Sequence, residues 1–97
     1  GPTALICQWA YTAIQVIKTL HDRGIRVPDD VSVMGYGNTE MASLCIPALT
    51  TCELHIDYAC HAAVEMLRRR MAWPDKPVET LLIDSTLVER DSVRPAG

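Results

Sequence analysis

Gly24-Ile25-Arg26-Val27-Pro28-Asp29-Asp30-Val31-Ser32-Val33-Met34-Gly35-Tyr36-Gly37 reads as a helix stop, a short polar connection, and a buried strand that opens onto a glycine-rich mouth. Gly24 follows the helical run Ala10–Arg23 and can take the left-handed conformation that closes a helix. Pro28 cannot continue a helix, and Asp29-Asp30 supplies turn chemistry. Val31, Val33 and Met34 then make a compact β-prone run. In α/β folds the carboxyl end of such a strand is where ligands bind.

Working outward, Ala4-Leu5-Ile6-Cys7 is a short apolar run suited to a second buried parallel strand. Between the two strands, Ala10, Ala13, Ile14, Ile17 and Leu20 recur at three- and four-residue spacing, while Thr12, Gln15, Thr19 and Asp22 point elsewhere. That pattern predicts an amphipathic helix. Strand, helix and strand within so short a stretch make a right-handed parallel crossover. Beyond the mouth, Met41, Ala42, Leu44 and Cys45 suggest one or two helical turns before Pro47. Thr50–Leu54 is expected to be extended. A second helix should run from Asp57, as N-cap, to about Met71, packing through Ala59, Ala62, Ala63, Met66 and Leu67. Trp73-Pro74-Asp75-Lys76-Pro77 ends it, and Val78–Val93 should hold one or two strands, from Thr80–Ile83 and Thr86–Val88.

Composition narrows the function classes. The 97 residues are 48% hydrophobic and 22% charged, ordinary for a soluble domain. Such a chain buries only about 60–70% of its unfolded surface. A net charge of −3 argues against the chain binding nucleic acid by itself, because that requires clustered Lys and Arg. The basic run Arg68-Arg69-Arg70 falls at a helix end, where it complements the helix dipole. Cys7, Cys45, Cys52 and Cys60 form no Cys-x-x-Cys pair, which points to reduced thiols and a cytoplasmic protein. No apolar run approaches membrane-span length.

The quoted stretch, extended to Asn38, resembles the signature of the lactose/galactose repressor family in its effector-binding domain. The resemblance continues through Pro47-Ala48-Leu49-Thr50-Thr51 and ends in Leu87-Val88-Glu89-Arg90-Asp91-Ser92-Val93. It implies an α/β fold, a periplasmic-binding-protein-like (type I) parallel-sheet lobe, of which this chain is the last third. On that reading residues 1–49 belong to the C-terminal lobe, 50–77 cross to the other lobe and supply its helix, and 78–97 return as strands and tail. The intact protein would be a homodimeric repressor that reads operator DNA through an N-terminal helix-turn-helix outside this chain. A small effector, a sugar or purine in the family, would bind between the lobes.

The resemblance places the ligand mouth at Gln8, Trp9, Tyr36, Gly37 and Asn38. There the sequence departs from the family: Trp9 and Ala10 stand for an Asn-Asp pair, Gly37 for an Asp, and Gln15 for a residue usually glycine. The lost groups would have paired with ligand hydroxyls, and an unpaired buried hydroxyl costs ~1–3 kcal/mol. Trp9 either stacks on a ring or fills a hole. The matching dimer patch comprises Ile14, Ile17, Met41, Leu44 and Cys45, which core packing could also absorb.

Other chemistry is weaker. Cys52, His55, Cys60 and His61 have zinc-compatible types without the paired spacing of structural sites, so no metal and no cofactor is expected. Asp84, Ser85 and His55 lack a nucleophile elbow, and Gly35-x-Gly37 lacks the third glycine of a dinucleotide fingerprint. Asp57 with Glu65 and Glu89 with Asp91 read as a cap and solvated charges, so no catalytic residue is assigned and an enzyme is not expected. Arg90 is expected to pair with Glu89, Asp91 or another acid. Two other functions remain open: a periplasmic sugar-binding protein, and a self-associating scaffold without ligand function.

Overall fold

The computed structural model describes residues 2–37 and 39–96. Its elements run β1 (Ala4–Cys7), α1 (Ala10–Asp22), β2 (Ser32–Tyr36), α2 (Glu40–Leu44), β3 (Thr50–Glu53), α3 (Ile56–Ala72) and β4 (Thr86–Val88). The strands form one sheet in the order β1-β2-β3-β4. β1 and β3 flank β2 in parallel, and β4 pairs antiparallel with β3. The chain divides into two compact units, residues 1–53 with 86–97, and residues 54–85.

In the first unit α1 starts and stops where its sequence requires. Arg23 closes it, and Gly24 takes φ +76°, the left-handed value that Cβ-bearing residues avoid. The Gly24 N–H donates to the His21 carbonyl and the Ile25 N–H to the Leu20 carbonyl. These are the paired bonds of a Schellman stop, which satisfies carbonyls the helix leaves open. The connection that follows is held by Arg26, whose guanidinium and backbone N–H both reach the Asp30 carboxylate. Those bonds hold the Asp30 carboxyl below the usual carboxylate range.

Ala10, Ala13 and Ile17 of α1 are buried against Val33, with Ile14 and Leu20 half-buried beside them. The helix lies so close to β2 that a Cβ on Gly35 would sit 3.0 Å from both the Ala10 Cα and the Ala13 Cβ. Pleat alternation then fixes the faces of the sheet. Cys7, Val33, Gly35, Thr51 and Glu53 share the α1 side, whereas Ile6, Met34, Tyr36, Cys52 and Leu87 share the other. On that other side Ile6 is 67% exposed and Leu87 55%.

The tail crosses the sheet as a strap. Ser92 is fully buried; its hydroxyl donates to the Val33 carbonyl and accepts from the Thr50 N–H, while its own carbonyl accepts from the Val33 N–H. It thereby stitches β2 to β3. Arg90 donates from its backbone N–H to the Thr50 hydroxyl, and from its guanidinium to the Leu49 carbonyl and Thr51 hydroxyl. These bonds tie Arg90 to backbone and hydroxyl groups at the base of β3.

In the second unit α3 begins two residues earlier than an Asp57 N-cap would set it. His55, at φ +54°, is the N-cap, and Asp57 lies in the first turn, where its charge favours the dipole without capping the helix. Arg69 and Arg70 fall in the last turn. The Arg70 guanidinium donates to the Pro74 and Lys76 carbonyls, so part of the basic run closes its own helix. Among the described residues no side chain of α3 is fully buried. Thr80–Ile83 is not a strand. A β-prone run needs a ladder partner, and of the two runs expected there only Thr86–Val88 finds one, on β3.

Candidate functional site

The carboxyl ends of β1, β2 and β3 lie side by side, because the three strands are parallel and in register from Cys7 through Gly35 to Thr51. From β1 the chain turns at Gln8 and Trp9 straight into α1. Trp9 is the extended N-cap residue, and its carbonyl accepts the Ala13 N–H at 3.0 Å. No side chain caps that helix start, and Gln8 and Trp9 are exposed, the indole to 57%. From β2 the chain leaves through Gly37 at φ +91°, whose N–H donates to the Cys52 carbonyl at 2.9 Å. A Cβ on Gly37 would meet nothing within 4 Å, so the glycine is required there by its backbone conformation and not by space.

The structure thus brings Gln8, Trp9 and Gly37 to one end of the sheet. Tyr36 reaches that end but projects to the face away from α1, a consequence of the two-residue alternation that turns Gly35 toward the helix. Asn38 lies outside the described residues. Glu53, at the end of β3 on the α1 side, joins the rim although the sequence reading passed over it. A charge closing an extended run, one strand along from the Gly-Tyr-Gly turn, was the available signal.

The five residues expected at a dimer patch differ in burial. Ile17 is 5% exposed and belongs to the core, which removes it from any surface. Ile14 and Cys45 are half-buried against that core, and the Cys45 thiol is engaged with the Ala42 and Pro47 carbonyls. Met41 and Leu44 remain exposed, at 55% and 63%. Ile46, unassigned from sequence, is 93% exposed. A single apolar residue between Cys45 and Pro47 carries no periodicity that could have flagged it.

On the sheet face opposite α1 a cavity of about 460 Å³ is lined by Met34, Thr50, Leu87, Arg90, Val93 and Arg94. Among the described residues no three His, Cys, Asp or Glu side chains gather closely enough to hold a metal ion. Burial pushes the Cys7 thiol up from its ordinary value. No helix of the described residues is long and apolar enough to cross a membrane.

Comparison with known proteins gives this geometry a lineage. Residues 1–93 match the periplasmic binding protein-like domain family. The ribose operon repressor of Haemophilus influenzae is 33% identical over 95% of the chain, and an HTH-type transcriptional repressor PurR of Mannheimia succiniciproducens is 37% identical over 96%. The chain spans 28% of the length of each of these relatives. Among solved structures, a LacI-type transcription regulator from Bifidobacterium animalis subsp. lactis superposes with a TM-score of 0.87 at 42% identity. That match covers 96% of this chain and 33% of the regulator.

Proposed function

Because the chain belongs to the periplasmic binding protein-like domain family, in the branch of the lactose/galactose-type repressors, we propose that it forms the C-terminal part of the effector-binding domain of a ligand-responsive transcriptional repressor. The observation that carries this reading is a match over nearly the whole chain to repressors, joined to an open mouth at the ends of parallel strands. Residues 1–49 supply one lobe, 50–77 the crossing and helix of the other, and 78–97 the return. Residues 54–85 separate as a compact unit of their own, whereas β3 (Thr50–Glu53) stays in the sheet of the first unit, so on this reading the crossing leaves after Glu53 and returns before Thr86. The protein acts in the cytoplasm without catalysing a reaction. It dimerises through the exposed apolar side chains Met41 and Leu44, and reaches operator DNA through a helix-turn-helix that this chain does not contain.

On this reading the mechanism follows from two lobes joined by three crossover segments. An effector with different affinity for two lobe arrangements shifts their populations, and the shift changes the spacing of the DNA-reading heads. Gln8, Trp9 and Gly37 form this chain's share of the effector wall. With the family's Asn-Asp and Asp replaced, a bare monosaccharide gains few hydrogen bonds here.

The deciding experiment expresses the whole reading frame that carries this chain and footprints it on the DNA upstream of its own gene. A protected operator that is released or tightened by a small molecule supports the reading. A cleaved secretory signal and no footprint would move the protein to solute capture outside the cytoplasm.

A further inference from the structure

β3 ends at Glu53 and α3 begins at Ile56, so on the outgoing path only Leu54 and His55 stand between the last strand residue and the first helical one. The chain is fixed on both sides of that joint. Before it, Cys52 and Glu53 pair with Leu87 and Thr86, and the Cys52 carbonyl accepts the Gly37 N–H at 2.9 Å. After it, the His55 carbonyl accepts the Ala59 N–H at 2.9 Å and opens the helix. The return path from Trp73 to Ser85 contains neither helix nor strand, so it imposes no comparable constraint. A change of direction between strand and helix therefore falls on the backbone dihedrals of Leu54 and His55. His55 holds φ +54° and ψ +48°, and among the described residues no other residue bearing a Cβ has a positive φ. That left-handed conformation is strained for a residue with a side chain. Hinges use element-terminal positions of this kind to absorb large dihedral changes.

Resting on the repressor reading above, we propose that His55 is the hinge residue of this crossing, and that its strained backbone biases the protein between two lobe arrangements. In one arrangement His55 is held left-handed. In the other it relaxes to a right-handed or extended conformation, and α3 swings with it. The strain narrows the gap between the two, so an effector has less to supply in shifting their populations. Glycine at this position removes the cost of the left-handed form, whereas a β-branched residue raises it. The two substitutions therefore move the balance in opposite senses.

Footprinting of the whole protein on its operator with no ligand added, paired with small-angle scattering of the same samples, tests this assignment. His55→Gly and His55→Val should each shift the concentration for half-protection by about fivefold or more, in opposite directions. The radius of gyration should move in opposite directions too. His55→Asn, which tolerates the left-handed region, should stay close to the unaltered protein. All three variants leave Gln8, Trp9 and Gly37 in place. If His55→Val fails to fold, the contrast between glycine and asparagine decides. A shift in His55→Gly that His55→Asn does not share supports the hinge, and its absence overturns it. Shifts of glycine and valine in the same direction, or no shift in either, overturn the hinge while the repressor reading stands. If the unaltered protein protects no operator, both fall.

Discussion

Ser92 makes three hydrogen bonds from a fully buried position, two through its hydroxyl and one through its carbonyl. Ser92→Ala leaves the Val33 carbonyl and the Thr50 N–H short of a partner where water does not reach, a loss of ~1–3 kcal/mol. Denaturant unfolding of the whole protein should show a lower midpoint with an unchanged slope. Gly35 makes the complementary point by what it lacks. Gly35→Ala drives a methyl to 3.0 Å from the Ala10 Cα, a backbone atom that cannot swing aside. Overpacking of that kind costs roughly 1–3 kcal/mol. Since α1 starts at the mouth, the same substitution should also move Trp9, seen as a shift in its fluorescence maximum relative to a Trp73→Phe background.

At the scale of elements, α2 is short, yet it carries the exposed pair Met41 and Leu44 just ahead of Ile46. Leu44→Lys should shift a dimer to monomer in sedimentation at micromolar concentration; an unchanged dimer would place the interface elsewhere. The helices and parallel strands were legible because their signals are local. Apolar spacing marked the α1 face, Gly24 marked its stop, and β-branched residues marked β2. What escaped depended on distant partners. Thr80–Ile83 has the composition of a strand but no ladder, Tyr36 is set by its pleat on the sheet face away from α1, and Ile17 is claimed by the sheet. Glu53 became a rim residue only when the register set it level with Gly37. Sequence spacing cannot report any of these, since each is decided by a strand or helix far away in the chain.

At the scale of the molecule, a parallel sheet is ordinarily covered on both faces, and here α1 covers one. Ile6 and Leu87 stand exposed on the other, and α3 has no fully buried side chain among those described. The 97-residue chain produced alone should therefore self-associate and bind a hydrophobic dye such as ANS, with weakly cooperative unfolding. A monomer that unfolds in one sharp, concentration-independent transition would show that the uncovered faces cost less than their area implies.

The pairing of Glu53 with Thr86 has a further consequence. Residues 54–85 leave and re-enter the sheet at neighbouring positions on two antiparallel strands, so to the rest of the molecule they are topologically a single loop. Joining Glu53 to Thr86 through an Asn-Gly turn would make a β-hairpin of β3 and β4 without altering any other strand. The fold thus contains a ready splice point, through which evolution or an engineer can exchange one whole insert for another while the sheet and its strap stay as they are.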